Sequence, residues 1–354
     1  MKTTKALFNW LLLPFLAVLF LVSCNSKDEV DPLLYKDNTI WVVNQGSFGN
    51  GVGSLDVYQP EDEKFVSGAY KLANGASMPG NIQSMRWLEN KAYVASNGLD
   101  AIVVLNEKAE EVNRIVNAEW LVTPRYFAMD DNYLYVSVWG NYTNVSINDF
   151  SLKESAILVL DKVTLDYVKE IPVKSGPEQL TIAGNKLWVG HSIWYAQQLT
   201  IVDLTDLSIT KELSLTEGSE WVAAASDNSV WAKDGNKVIR YNNSDYAVLN
   251  TLEMPNSVGY LYAEEDAVYI QVNDFGSEKS YIYESNIAAA TGDYTFRYEA
   301  GNFQTFLLDE LSGETHFYTT FAPYTEAGSL IVSSPPVNVD NYETGIYPVQ
   351  IVKK

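Results

Sequence analysis

The chain is poor in residues that do acid–base or metal chemistry and rich in residues that make contact surfaces. It holds two histidines, His191 and His316, and one cysteine, Cys24. The histidines lie far apart, without a His-x-x-x-His or similar spacing that sets two imidazoles on one metal. No metal site, resident cofactor or catalytic residue is expected. Asp130-Asp131, Glu264-Glu265, Asp227-Asn228 and Asp234-Gly235-Asn236 flank apolar runs. They read as solvated turns, not as paired catalytic carboxylates or calcium loops. By contrast there are 23 tyrosines and 9 tryptophans. Several of these rings sit beside amides in polar segments between the apolar runs. The candidate ligand-binding residues are Phe48, Trp139, Asn141, Tyr142, His191, Trp194, Tyr195, Phe275 and Tyr324, with Trp221 and Tyr260 just ahead of or early in a run. Rings supply flat apolar contact and amides fix orientation. Such a set suits a large, flat, partly apolar ligand bearing amides or hydroxyls, a description that corrinoids and glycans both meet. Half of the rings are expected to pack between elements, with Trp139 and Trp194-Tyr195 the best placed for exposure. His191 reads first as a loop histidine satisfied within the protein, and His316 as a packing residue.

The elements that must position these residues are strands. Short runs of Val, Ile, Leu, Tyr and Trp alternate with Asn, Gly, Asp and Ser turns, and helical periodicity is nearly absent. One run in each repeat centres on an aromatic: Trp41, Tyr93, Tyr135, Trp188, Trp231, Tyr269 and, less regularly, Phe317. A second run follows, such as Ile157–Asp161 or Thr200–Asp203, and then a third, such as Tyr167–Ile171 or Ile209–Leu213. Ahead of the aromatic run comes another apolar run, opened by proline in Thr123-Pro124-Arg125 and Gly176-Pro177-Glu178. Four strands recurring every roughly 40–50 residues is the period of a propeller blade. The predicted fold is an all-β, seven-bladed β-propeller of four-stranded antiparallel blades. The alternatives are a pair of β-sandwiches, or six or eight blades if the ragged last repeat misleads.

Ring closure is legible at the ends. Asn38–Val43 opens the domain with an aromatic strand that lacks its preceding partner, and Gly345–Val352 closes it with such a partner and nothing to follow. Pairing them completes one blade and hides two sheet edges. In this architecture the aromatic-rich segments gather on one face, around the central channel.

Ahead of the domain, Lys2 and Lys5 precede an apolar run from Ala6 to Val22, and Leu21-Val22-Ser23-Cys24 follows. A charged start, an apolar stretch and small residues make an export signal, and a cysteine at the cut looks like the bacterial lipobox. A transmembrane anchor is the competing reading, but roughly seventeen apolar residues is near its lower limit. The expected organisation is a lipoprotein signal peptide (1–23), a lipidated tether (24–34) and the propeller (35–354), with lipidation at Cys24. With Cys24 lipidated, no thiol remains for a disulfide, a thiolate metal site or a cysteine nucleophile. The formal charge of −21 becomes about −23 once Lys2 and Lys5 leave with the signal. That charge repels phosphate backbones, so nucleic acid is not an expected partner. It also leaves membrane attachment to the acyl chains.

The run Gly-Pro-x-x-Leu, then Asn-Lys-Leu-Trp-Val, then a strand ending in Asp, resembles YncE-like seven-bladed propellers. The opening Trp41–Gly51 with Gly53-Ser54-Leu55, and Lys27-Asp28-Glu29 close behind the lipidated cysteine, are similar to Bacteroidetes surface lipoproteins of the BtuG type. That resemblance implies a domain at the cell exterior, anchored in the outer membrane. It implies a non-enzymatic role, capturing cobalamin or another corrinoid for a TonB-dependent outer-membrane transporter. The other readings are a glycan or cell-surface binding propeller, a purely structural surface propeller, and a propeller enzyme of lyase, lactonase or cyclase type.

Overall fold

Seven four-stranded antiparallel sheets follow one another around a ring. The computed structural model describes residues 35–47, 51–146, 149–288, 293–335 and 338–354. The signal and tether, including Cys24, lie outside the described residues, as does Phe48. Tyr35–Lys354 forms one unit.

Blades are numbered here in chain order. Blade 1 contains Ile40–Asn44, Ser54–Gln59 and Lys64–Val66, and takes its innermost strand, Pro348–Lys353, from the other end of the chain. The inner strands of blades 2 to 7 are Ile82–Leu88, Pro124–Met129, Pro177–Ala183, Val222–Ala224, Ser257–Glu264 and Phe306–Leu311. Closure runs as expected, with Ile40 opposite Lys353 and Trp41 opposite Val352. A buried carboxylate reinforces it. Asp56 of blade 1 accepts the Gly345 N–H at 2.9 Å, the Gly68 N–H at 2.8 Å and the Asn44 amide at 2.8 Å. The joint therefore carries side-chain bonds as well as the strand ladder.

The aromatic strand is second in each blade, and its side chains alternate between the two neighbouring blades. Trp41, Trp188, Trp231, Tyr135 and Tyr318 are all at most 1% exposed. Trp188 also donates its indole N–H across to Asn243 of blade 5, at 2.8 Å. Truncating such a ring to alanine costs about 3–5 kcal/mol, so these strands tie blade to blade.

One feature of the inner strands escapes periodicity. In five of the seven, the register against the second strand shifts near the start of the inner strand. The unpaired residues fall at Gln83, Arg125-Tyr126, Glu178-Gln179, Gly259-Tyr260 and Val349. A bulge turns side chains out of strict alternation and re-aims them, here toward the channel.

The stretch after Trp139 is not a plain loop. Asn141–Ser146 and Asp149–Lys153 pair as a separate two-stranded hairpin standing off blade 3.

Candidate functional site: the channel mouth

On the face where inner strands begin and second strands end, the bulges open a cavity of about 830 Å³. Its wall draws on blades 1 to 7, and its floor is charged. Arg125 and Glu178 follow the leading prolines of successive inner strands, so they occupy equivalent positions in neighbouring blades. The Arg125 guanidinium meets Glu178 as a fork, with Nη2 to Oε1 at 2.8 Å and Nε to Oε2 at 3.1 Å. Its Nη1 donates to Gln83 at 2.6 Å. The same guanidinium lies 3.9 Å from the centre of the Trp139 ring, a cation–π contact. The Trp139 ring meets Tyr195 edge-on at 5.3 Å. Beside them Lys233 pairs with Glu220 at 2.8 Å.

The Glu178 carboxyl is pushed up to about 7, chiefly by burial and in smaller part by the nearby Glu220 charge, against the pull of the Arg125 guanidinium that pairs with it. Above that value it is a carboxylate paired with Arg125 through the fork.

The backbone leading into this wall is held in unusual conformations. The residues before the leading prolines, Thr123, Gly176 and Tyr347, have φ of +53°, +71° and +54°. Only glycine adopts this region freely, and β-branched Thr123 is strained there. At Gly176 space matters too, because a Cβ would meet the Tyr195 ring at 2.8 Å.

The predicted residues divide three ways. Trp139, Trp194, Trp221 and Tyr324 line the cavity. Trp194 is 84% exposed and Tyr324 74%, and Tyr324 stacks on Tyr347 with ring centres 4.8 Å apart. Trp221 packs edge-on against Tyr260 at 4.6 Å and against Tyr126 at 5.8 Å. Tyr195 and Tyr260 buttress the wall: Tyr195 backs Trp139, and Tyr260 lies deeper in the channel. The rest sit elsewhere. Phe275 is exposed in the turn closing the second strand of blade 6, off the cavity. Asn141 spends its amide on Glu154 at 2.9 Å, at the base of the hairpin. The Tyr142 side chain lies outside the described residues.

His191 is fully buried, with Nε2 2.9 Å from the Thr200 hydroxyl and Nδ1 3.3 Å from the Ser175 carbonyl. Burial lowers its imidazole to about 4, so it is a neutral packing group beneath the rim. This corrects its placement among the ligand contacts and agrees with the satisfied-histidine reading.

The charged residues Glu178, Glu220 and Lys233 escaped the sequence reading, as did Gln83 and Gln304 in the same wall. The available signal was the opposite sign of Arg125 and Glu178 at matching repeat positions. Asp234, read as a turn, instead ends the second strand of blade 5 and accepts backbone N–H groups from Thr216, Glu217 and Gly218 at 2.9, 2.6 and 3.2 Å. It anchors the loop that presents Glu220 and Trp221. Among the described residues, no cluster of His, Cys, Asp and Glu could hold a metal ion. No helix among them is long and apolar enough to cross a membrane.

The ring and its channel mouth define a seven-bladed β-propeller with a loop-face cavity. The chain belongs to the family described as domain of unknown function DUF5074, whose pattern matches residues 38–331. No curated protein matches it. Among solved structures it is similar to a functionally unknown protein from Desulfotomaculum acetoxidans DSM 771 (10% identity, TM-score 0.65, covering 89% of this chain and 98% of that one). It is also similar to a quinonprotein alcohol dehydrogenase-like protein from Bacteroides thetaiotaomicron VPI-5482 (13% identity, TM-score 0.61, covering 90% and 78%). The Pan2 WD40 domain of Neurospora crassa shares the architecture as well (11% identity, TM-score 0.55, covering 89% of each chain). At these identities the likeness is one of fold alone.

Proposed function

We propose that the protein is a ligand-capture propeller: a lipoprotein held at the outer membrane through Cys24, facing the cell exterior. Its ligand is cobalamin or another corrinoid, passed on to a TonB-dependent transporter. The observation that carries this reading is the 830 Å³ mouth walled by Trp139, Trp194, Trp221 and Tyr324. Gln45 and Gln304 stand in the same wall, and their side-chain amides make no bond to another described residue. Flat rings offer apolar area, and unspent amides match the peripheral amides of a corrinoid. The ion pairs beneath are satisfied within the protein, which suits binding better than turnover.

The test is calorimetric titration of the purified chain with cyanocobalamin, followed by absorbance. Saturable one-to-one binding is expected, weakened about tenfold by Trp194→Ala, in line with the cost of losing one well-placed aromatic contact. Absence of both heat and spectral shift would remove the corrinoid assignment. A second reading has its own support. Trp194 and the Tyr324–Tyr347 stack project from the rim as platforms that would equally stack on sugar rings, and glycan-array binding lost in Trp194→Ala would select it.

A further inference from the structure

Below the mouth the inner strands enclose a second cavity of about 340 Å³, and its chemistry differs. Arg86 of blade 2 reaches into it. Its Nη1 donates to the carbonyls of Phe127 at 3.0 Å and Leu180 at 3.3 Å, in blades 3 and 4. No carboxylate among the described residues pairs with it. Both Nη1 hydrogens are thereby engaged, which leaves the Nε–H and Nη2–H edge, the side of a guanidinium that takes a carboxylate as a fork.

The neighbouring polar side chains have their acceptors occupied. Gln350 Oε1 accepts the Met85 N–H at 2.8 Å, and Gln179 Oε1 accepts the Val222 N–H at 3.2 Å. Thr181 Oγ1 accepts the Ala224 N–H at 3.2 Å, and the Tyr262 hydroxyl accepts the Leu308 N–H at 2.9 Å. Each of these bonds ties one blade's inner strand to the next. Each also leaves that side chain's own N–H or O–H unspent, and all four side chains line this cavity. One acid stands on the same wall: Glu264, near Lys353, which is itself bound to Asp309 at 2.5 Å. The remainder of the polar lining is rich in donors around an unneutralised guanidinium, inside a protein of strongly negative charge.

We propose that the central channel is a binding site for a small carboxylate, seated on the free edge of Arg86 and surrounded by the unspent donors of Gln179, Gln350, Thr181 and Tyr262. The site is independent of the mouth ligand. Its volume accommodates an organic acid of a few carbons, and Arg86 is solvent-exposed within the cavity, so exchange needs no opening of the ring.

The experiment titrates the full chain with succinate by calorimetry, with acetate as the single-carboxylate comparison. Saturable binding to the unaltered chain is expected, weakened at least tenfold by Arg86→Gln. Arg86→Lys, which keeps the charge and loses the fork, is expected to fall between the two. Trp194→Ala should bind succinate as the unaltered chain does, whatever becomes of corrinoid binding. If Arg86→Gln does not fold, saturation transfer from the tyrosine ring protons to the succinate methylenes decides the matter in the unaltered chain. No saturable binding, unchanged affinity in a folded Arg86→Gln, or no transfer would each overturn the site.

Discussion

The mouth and the channel of this propeller use the same kinds of residue to opposite ends. At the mouth, Arg125 has Glu178 and Lys233 has Glu220, so each cation has a matched anion and the quartet is internally satisfied. In the channel, Arg86 has only backbone carbonyls. A buried cation with its carboxylate is part of the wall, whereas a cation without one is an offer to a ligand. The rings differ in the same way: Trp139 is clamped between Arg125 and Tyr195, while Trp194 stands in solvent.

Mutation separates the two regions most sharply at the ion pair. Glu178→Ala strands the Arg125 guanidinium in a buried site and is expected to cost about 3–5 kcal/mol in denaturant unfolding. The pair Arg125→Met with Glu178→Leu, which removes both charges, should recover most of that loss. If the single change were as mild as the double one, the quartet would not be a closed structural unit. Arg86→Gln removes a cation that no anion depends on, so its expected cost is about 1 kcal/mol. A loss as large as that of Glu178→Ala would place Arg86 in the wall as well.

The pH dependence sharpens the contrast within the face. Glu178 has its folded pKa raised to about 7 from the ordinary carboxyl value of 4.5. The native state therefore holds the extra proton in that interval, and this group's contribution to stability is greatest below about 4.5 and declines as pH rises toward 7. His191 runs the other way. Its folded value falls from 6.5 to about 4, so the unfolded chain binds the extra proton, and its contribution is full above 6.5 and lost as pH falls toward 4. Glu178→Gln should steepen the loss of melting temperature on acidification, and His191→Gln should flatten it, as read by melting curves between pH 4 and 8. The smallest expected effect is that of Trp194→Ala on stability, within about 0.5 kcal/mol because the ring is exposed, while ligand binding at the mouth weakens.

Much of the fold was legible in the sequence, because blades are built from alternation and from an aromatic that must be buried twice over, against both neighbours. Trp41, Tyr135, Trp188 and Trp231 each mark a second strand, and the unpaired strands at the two ends meet as their patterns require. The site was less legible. A bulge leaves no trace in hydrophobic period, so the re-aimed Gln83 and Glu178 read as ordinary strand residues. The hairpin at Asn141–Lys153 is polar on its way out and resembled a loop. His191 and Asp234 both end second strands, where a polar residue can face the ligand, the neighbouring loop or the core. Only packing decides which, and here it chose the core for one and the loop for the other.

The closing strand also sets a timetable for synthesis. Pro348–Lys353 leaves the ribosome long after Ile40–Asn44, yet it supplies the innermost strand of the first blade, and Gln350 and Tyr347 reach the channel and the mouth from it or just before it. Until those residues emerge, Ile40–Asn44 presents a bare edge and no ring can form, so contacts of the longest sequence separation come last. A nascent chain that stops short of Gly345 lacks the joint, the Asp56–Gly345 bond and part of the wall of both cavities at once, so such copies are open-edged.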